Sequence, residues 1–199
     1  MNKSLVILND FKIIIFVIFI SQMSIAQQKE KLPFYEISDY SQEQYTPGSL
    51  VARMVDGLGF RFYWATEGLT EKDLAYRANK EGRSSEETID HILGLSNYIL
   101  YTALKQPIQR TSLEGLSYGD KRKKVLLNLK KASDIFKEQT DFSENEVVFS
   151  SQYKFPFWNL INGPIADALT HCGQILIYRR TTGNPVNTNA DVLSGKVRD

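Results

Sequence analysis

Apolar residues recur at helical spacing in four stretches of the chain. The first stretch starts at Thr46-Pro47, where threonine is a good N-cap and proline suits the first helical position. Gly68 is a natural end for it. An apolar stripe with a period of three to four residues lies between these signals: Leu50, Val51, Met54, Val55, Leu58 and Phe62. This pattern predicts a first amphipathic helix.

The second and third helices have their own start signals. Ser84 and Glu87 are spaced as a capping box, and apolar residues follow them at helical spacing. Asp120 is a candidate N-cap for the third helix, whose stripe runs from Val125 to Phe136. Both stretches are long enough for two and a half helical turns or more.

The last helix is predicted to begin at Gly163-Pro164 and to end before Gly183, because Asn184-Pro185 prevents its continuation. Four amphipathic helices without a convincing sheet predict an all-α fold, a four-helix bundle over residues 46–187. Before the bundle, residues 27–45 are predicted to be an irregular lead-in. Residues 146–153 are rich in β-type residues and predict a short extended segment, and residues 188–199 predict a flexible tail.

The N-terminus has the layout of a secretory signal peptide. Lys3 and Lys12 form a positive region, residues 13–20 are an unbroken apolar run, and Ser24-Ile25-Ala26 places small residues where signal peptidase cuts. A membrane-spanning helix needs about 20 apolar residues, so this run is too short for one. We expect cleavage after Ala26, with an uncleaved anchor as the alternative. The mature protein would then be periplasmic or secreted and would have no membrane contact.

Charge excludes one class of partner. The whole chain has 24 basic and 23 acidic residues, and loss of Lys3, Lys12 and Asp10 with the signal peptide leaves 22 of each. Nucleic-acid-binding domains usually have a basic excess on one face, so no nucleic-acid partner is expected. The run Lys121-Arg122-Lys123-Lys124 is interpreted as a solvated helix face. Cys172 is the only cysteine, so an internal disulfide is impossible, and its place in an apolar stripe predicts an inert buried thiol.

The candidate chemistry lies with the two histidines of the chain. Asp167 precedes His171 by four residues, which places both side chains on one face of the last helix. His91 lies at the flank of the second helix, and it converges with this pair if the two helices pack side by side. Two imidazoles and a carboxylate can hold a metal and leave coordination positions open. On spacing alone, hydrogen-bonded core histidines are the more common arrangement.

Other residues could support such a site. Glu87 lies four residues before His91, and Gln174 three residues after His171, so either could hydrogen-bond a ligand. Tyr98, Tyr178 and Trp158 could line a pocket above the metal, although packing alone also explains them. Gly173 lies inside the last helix, where glycine costs about 1 kcal/mol relative to alanine. Close helix packing and a constrained site explain this glycine equally well.

The last helix resembles that of the DinB/YfiT-like superfamily. The resemblance rests on His171-Cys172-Gly173-Gln174, the following Arg179-Arg180 and the Gly183-Asn184-Pro185 ending, together with His91 on the second helix. It covers residues 46–186, nearly all of the mature chain. In one respect the chain departs from the family pattern, because Asp167 replaces the earlier histidine of the last helix.

The resemblance implies a four-helix bundle that holds one divalent metal ion through His91, Asp167 and His171. The ion would be Zn²⁺, Ni²⁺, Mn²⁺ or Fe²⁺, and the carboxylate disfavours the softest metals. It also implies metal-dependent enzymes, some of them acting in thiol-cofactor chemistry, and common homodimers.

For an exported protein we expect a metal-activated water acting on a small-molecule substrate, a hydrolase-like reaction. A scaffold without turnover and a thiol-cofactor transferase are the alternatives. No catalytic residue beyond the ligands is identified.

The signal-peptide prediction can be tested on protein from the host's envelope fraction. Mass spectrometry should find an N-terminus at Gln27, because signal peptidase cuts after the small residue Ala26. Full-length protein in the cytosolic fraction would contradict this expectation.

Overall fold

The computed structural model describes residues 32–39 and 45–199. The signal peptide predicted for residues 1–26 lies outside the described residues, as does much of the predicted lead-in. The described part is mostly helical with very short strands, which confirms the all-α class. None of its helices is both long and apolar enough to cross a membrane.

The elements are numbered here in chain order. The helices are α1 Pro47–Thr66, α2 Glu71–Ala75, α3 Ser85–Ala103, α4 Tyr118–Lys137, α5 Trp158–Leu160 and α6 Ala166–Thr181. A π-helical turn, Ile161–Ile165, joins α5 to α6. Two antiparallel hairpins complete the structure: β1 Val147–Val148 with β2 Lys154–Phe155, and β3 Ala190–Asp191 with β4 Lys196–Val197.

The four long helices α1, α3, α4 and α6 share one core. Helices α1 and α3 each pack against both α4 and α6, so the apolar stripes of all four meet in the middle. The fully buried side chains of this core include Val55, Leu58 and Phe62 of α1, Ile89, Ile92 and Leu93 of α3, Val125, Leu126 and Leu129 of α4, and Ala168, Cys172 and Ile175 of α6. Burial raises the pKa of the Cys172 thiol to about 12, in agreement with an inert thiol.

Two predictions about which helical residues are buried are wrong, one for the apolar stripe of α1 and one for the basic run of α4. Leu50 and Met54 of α1 are 54% and 40% exposed, because they lie one helical step outside the stripe that Val51, Val55 and Leu58 bury. In the lysine-arginine run, Lys121 is buried and bonds Glu86 and Asp90, at 3.0 and 2.8 Å. Consecutive helical residues point about 100° apart, so a run of four cannot all face water.

Capping sets the helix starts. Thr46 and Ser84 form the capping boxes expected for α1 and α3. The cap of α4 is Ser117 and not Asp120, because the Ser117 hydroxyl accepts the Asp120 N–H and the Asp120 carboxylate accepts the Ser117 N–H. The sequence also did not predict α2, a single short helix capped by Thr70.

The C-terminal residues predicted as a flexible tail form the β3–β4 hairpin instead. Its backbone bonds to the lead-in: the Ile37 N–H donates to the Gly195 carbonyl at 2.8 Å, and the Val197 N–H to the Glu36 carboxylate at 2.9 Å. Gly195 has φ +73°, and a Cβ there would lie 2.6 Å from Ile37. Glycine therefore permits both the turn and the close approach.

Arg179 joins the end of α6 to the end of α1. Its guanidinium is buried and donates to the carbonyls of Trp64 and Ala65, at 2.9 and 3.1 Å. These carbonyls belong to the last turn of α1 and lack helical partners. Arg179 therefore has a structural role, and is not placed to bind an anionic substrate.

Two helical glycines should respond to alanine in opposite directions. A Cβ on Gly48 would overlap the backbone carbonyls of Gln139 and Phe136, whereas a Cβ on Gly173 would meet nothing within 4 Å. Close packing therefore does not explain Gly173. We expect Gly48→Ala to lower the free energy of unfolding by about 2 kcal/mol, and Gly173→Ala to raise it by about 1 kcal/mol. Urea denaturation measures both; equal shifts would contradict this expectation.

Candidate metal centre

The helix that holds the site begins earlier than the sequence predicts. Gly163-Pro164 does not open it; the chain is already helical from Trp158, and Pro164 lies inside the π turn. Proline has no N–H and its ring crowds the carbonyl of the residue four positions earlier. The wider turn accommodates the ring, and the Ala166 N–H reaches back five residues to the Ile161 carbonyl.

Helices α3 and α6 run past each other in opposite directions. His91, early in α3, meets Asp167 and His171, while Tyr98, two turns later, lies near Gly163 just before α6. The apolar stripe of each helix faces the common core, and the polar flanks beside the stripes therefore face each other. The side-by-side packing that the site hypothesis requires is present.

Asp167 lies between the two imidazoles. Its Oδ2 is 3.0 Å from His91 Nε2, and its Oδ1 is 3.3 Å from His171 Nε2. The two rings meet edge to face, with centroids 4.8 Å apart. One candidate ligand atom from each residue can be chosen so that all three lie within 4.8 Å of one another.

The cluster is closed on one side and open on the other. The His171 side chain is 10% exposed, whereas those of His91 and Asp167 are 30% and 45% exposed. His171 therefore forms the buried base of the site, and the open side is reached past Asp167. A site of this kind leaves room for water or a ligand.

Gln174 orients the buried imidazole. Its Oε1 lies 2.7 Å from His171 Nδ1, so with the amide in this orientation Nδ1 is the donor. The lone pair of the neutral ring is then on Nε2, 3.3 Å from the Asp167 carboxylate oxygen, an arrangement that a metal ion between the two atoms would stabilise. With the amide turned over, the other tautomer donates from Nε2 to Asp167.

The donor set fits a divalent metal. Bond lengths of 2.0–2.1 Å in a tetrahedral site place ligand atoms about 3.3 Å apart, close to the two observed nitrogen–oxygen distances of 3.0 and 3.3 Å. His91 would have to carry its proton on Nδ1 so that its Nε2 could coordinate. The three candidate ligand atoms lie within 4.8 Å of one another, so movements of up to about 1.5 Å would bring all three onto one ion.

Glu87, predicted to support His91, is used elsewhere. Its carboxylate accepts the Ser84 N–H at 2.7 Å and pairs with Arg77 at 3.2 Å. The hydrogen bond from the Ser84 backbone, followed by the hydrogen bond and charge of Arg77, lowers the pKa of Glu87. The carboxylate therefore belongs to the cap of α3, one turn away from His91.

A cleft of about 440 Å³ adjoins the open side of the cluster, and Asp167 is part of its wall. Of the three predicted pocket residues, Tyr98 lines this cleft. Trp158 does not, because it is 71% exposed and points into solvent. Tyr178 packs edge to face on Tyr76, with ring centroids 5.4 Å apart, beyond the far end of the cluster.

Sequence reasoning missed several lining residues. Asn159 and Asn162 face the cleft from the segment before α6, and Phe149 faces it from the β1–β2 hairpin. Phe155, also in this hairpin, had pocket lining only as its minority interpretation, and it does line the cleft. The two asparagines are three residues apart, which is a helical spacing. Because the predicted helix starts only at Gly163-Pro164, this helical spacing falls in a segment predicted to be non-helical.

Comparisons with known proteins found no relatives: no family model, no curated protein and no solved structure matches the chain. The DinB/YfiT-like resemblance therefore stays a prediction.

The role of Gln174 gives a direct test of the metal centre. We expect Gln174→Leu to lower the affinity for Zn²⁺ by about 10- to 100-fold, because His171 loses the partner that holds its Nδ1 proton. Gln174→Glu should retain the affinity, since a carboxylate accepts the same proton. Competition with a chromophoric chelator measures the affinity.

The matched control is Thr170→Val, which changes an exposed residue of the same helix that bonds only the Ala166 carbonyl. Unchanged Zn²⁺ affinity in Gln174→Leu would show that the amide does not orient a ligand.

Proposed function

We propose that this protein holds one divalent metal ion through His91, Asp167 and His171, and acts on a small molecule in the adjacent cleft. The reaction we propose is hydrolase-like. The single observation that carries the proposal is the cluster itself, three candidate ligand atoms within 4.8 Å at the edge of an open cleft. A buried structural site would have no such access.

The composition of the donor set supports a catalytic and not a structural site. Two imidazoles and one carboxylate suit Zn²⁺, Ni²⁺, Mn²⁺ or Fe²⁺. Three protein ligands leave at least one coordination position open, as catalytic zinc sites do. The open position would face the cleft, since His171 closes the opposite side.

When bound, such an ion supplies a Lewis acid and makes water more acidic. The chain's own groups do the rest. Gln174 holds the proton of His171 on Nδ1, and Asp167 balances the charge of the ion. The β1–β2 hairpin and Tyr98 shield one side of the cleft from water, which strengthens electrostatic interactions within it.

We further propose that the chain is an exported DinB-like four-helix bundle. The support is the shared core of α1, α3, α4 and α6, with the histidines on the second and the last of these helices. Export disfavours the thiol-cofactor transferase, because the small thiols that serve as cofactors are mainly cytoplasmic. A homodimer remains a prediction from the resemblance.

Metal analysis of untagged protein beginning at Gln27 tests the proposal. We expect about one equivalent of metal, and a melting temperature that rises with metal concentration because the ion binds the folded state. Asp167→Ala should lose most of this stabilisation. Asp167→His should keep it and shift the preference toward softer metals.

The control for these variants is Asp134→Ala, which removes an exposed carboxylate of α4 that pairs only with Lys130. If Asp167→Ala binds metal as tightly as this control, Asp167 is not a ligand. Metal-free protein whose stability does not respond to added metal would overturn the proposed function.

A further inference from the structure

The cleft beside Asp167 has the size of a small-molecule site. Its volume of about 440 Å³ lies within the usual range for such pockets, about 300–1,000 Å³. The walls come from three elements, α3, the β1–β2 hairpin and the π turn before α6. The described lining residues are Leu95, Tyr98, Val147, Phe149, Phe155, Asn159, Asn162, Gly163, Pro164 and Asp167.

One wall of the cleft is aromatic. The Tyr98 ring meets Phe149 edge to face, with centroids 5.2 Å apart, and Phe149 in turn meets Phe155 at 6.2 Å. Strand pairing fixes the Phe155 ring, because Phe155 is opposite Val147 in the hairpin, and just beyond β1 the Phe149 N–H donates to the Tyr153 carbonyl at 2.9 Å. Preformed aromatic walls favour flat aromatic ligands, which can stack on a ring face or pack against its edge.

The polar groups of the cleft are two amides and one carboxylate. Within the described part of the chain, the side-chain amides of Asn159 and Asn162 have no protein hydrogen-bond partner, so both can bind a ligand. Asp167 is the single charged residue of the described lining, and no cation accompanies it there. In the metal-free protein an anionic ligand would meet this carboxylate and lose its hydration without compensation; a bound divalent ion would reverse this charge.

Gly163 lines the cleft, and a Cβ at this position would meet nothing within 4 Å. A larger side chain therefore fits there without displacing the backbone, and we expect it to occupy part of the cleft. Leucine also has a better helical propensity than glycine.

We infer that this cleft, in the metal-free protein, binds uncharged small molecules that have an aromatic ring and an amide-like polar group. The ring packs against Tyr98 and Phe149, and the polar group reaches the amides of Asn159 and Asn162. The inference deepens the proposed function, since it names the aromatic part of the substrate of the same site, while the preference against anions belongs to the metal-free cleft. Ring binding itself requires no metal.

The test uses 4-fluorobenzamide as the neutral probe and 4-fluorobenzoate as the matched anion. Fluorine NMR titrations of the untagged protein are run with excess chelator, so that no metal contributes. We expect the amide to bind at least about fivefold more tightly than the carboxylate. Equal binding, tighter binding of the carboxylate, or no binding of the amide would overturn the inference.

Two glycine variants then locate the probe. Gly163→Leu should weaken 4-fluorobenzamide at least tenfold, because the leucine occupies the cleft. Gly173→Leu is the control: it places the same side chain into open space on α6, away from the cleft lining, and should leave the affinity unchanged. Thermal melting verifies that both variants fold. Equal affinities for the two variants would place the probe elsewhere and overturn the inference.

Failure of the cleft inference can be told apart from failure of the proposed metal function. Protein that binds the amide in chelator but takes up no metal refutes the proposed function and leaves the cleft assignment standing. Protein that takes up metal but does not bind the amide refutes only the inference.

Discussion

The apolar stripes of α3 and α6 have to reach the same core, and this requirement brings the candidate site together. Helix α6 buries Ala168, Cys172 and Ile175, so Asp167 and His171 lie at the flank of its buried face. Helix α3 buries Ile92 and Leu95 and presents His91 at the corresponding flank. Hydrophobic burial, worth about 25 cal/mol per Å², therefore supplies the energy that holds two imidazoles and a carboxylate in contact. The polar groups do not have to attract one another for the cluster to form.

The Gln174 amide decides which nitrogen of His171 faces Asp167 as an acceptor. With the amide oxygen on Nδ1, the ring directs a lone pair from Nε2 at the Asp167 carboxylate, 3.3 Å away, and a metal ion between them would be bound by both. With the amide turned over, Nε2 donates to the carboxylate, and the cluster is satisfied without an ion.

The π turn links the site to the cleft. It accommodates Pro164 without ending the helix, so the residues before the proline stay helical, with their register shifted relative to Asp167. Asn159 and Asn162 consequently face the same cleft as the carboxylate, and the β1–β2 hairpin covers it from the other side. A helix starting at Gly163-Pro164 would leave both asparagines in a loop. Single π turns are rare and are often found at functional sites, because they change where side chains point.

Local signals in the sequence were enough to predict the all-α class, the caps Thr46 and Ser84, the end of α6 before Gly183 and the place of Asp167 and His171 on one helix face. Each of these depends on periodicity or capping within a few residues, which acts before the chain is compact. Only tertiary structure decided that His91 meets this pair, that Lys121 is buried, that residues 190–197 form a hairpin on the lead-in, and that aromatic rings of the β1–β2 hairpin complete the cleft. These features are contacts between segments far apart in the chain, and their free energy depends on which surfaces the packed core leaves available. No local pattern contains that information.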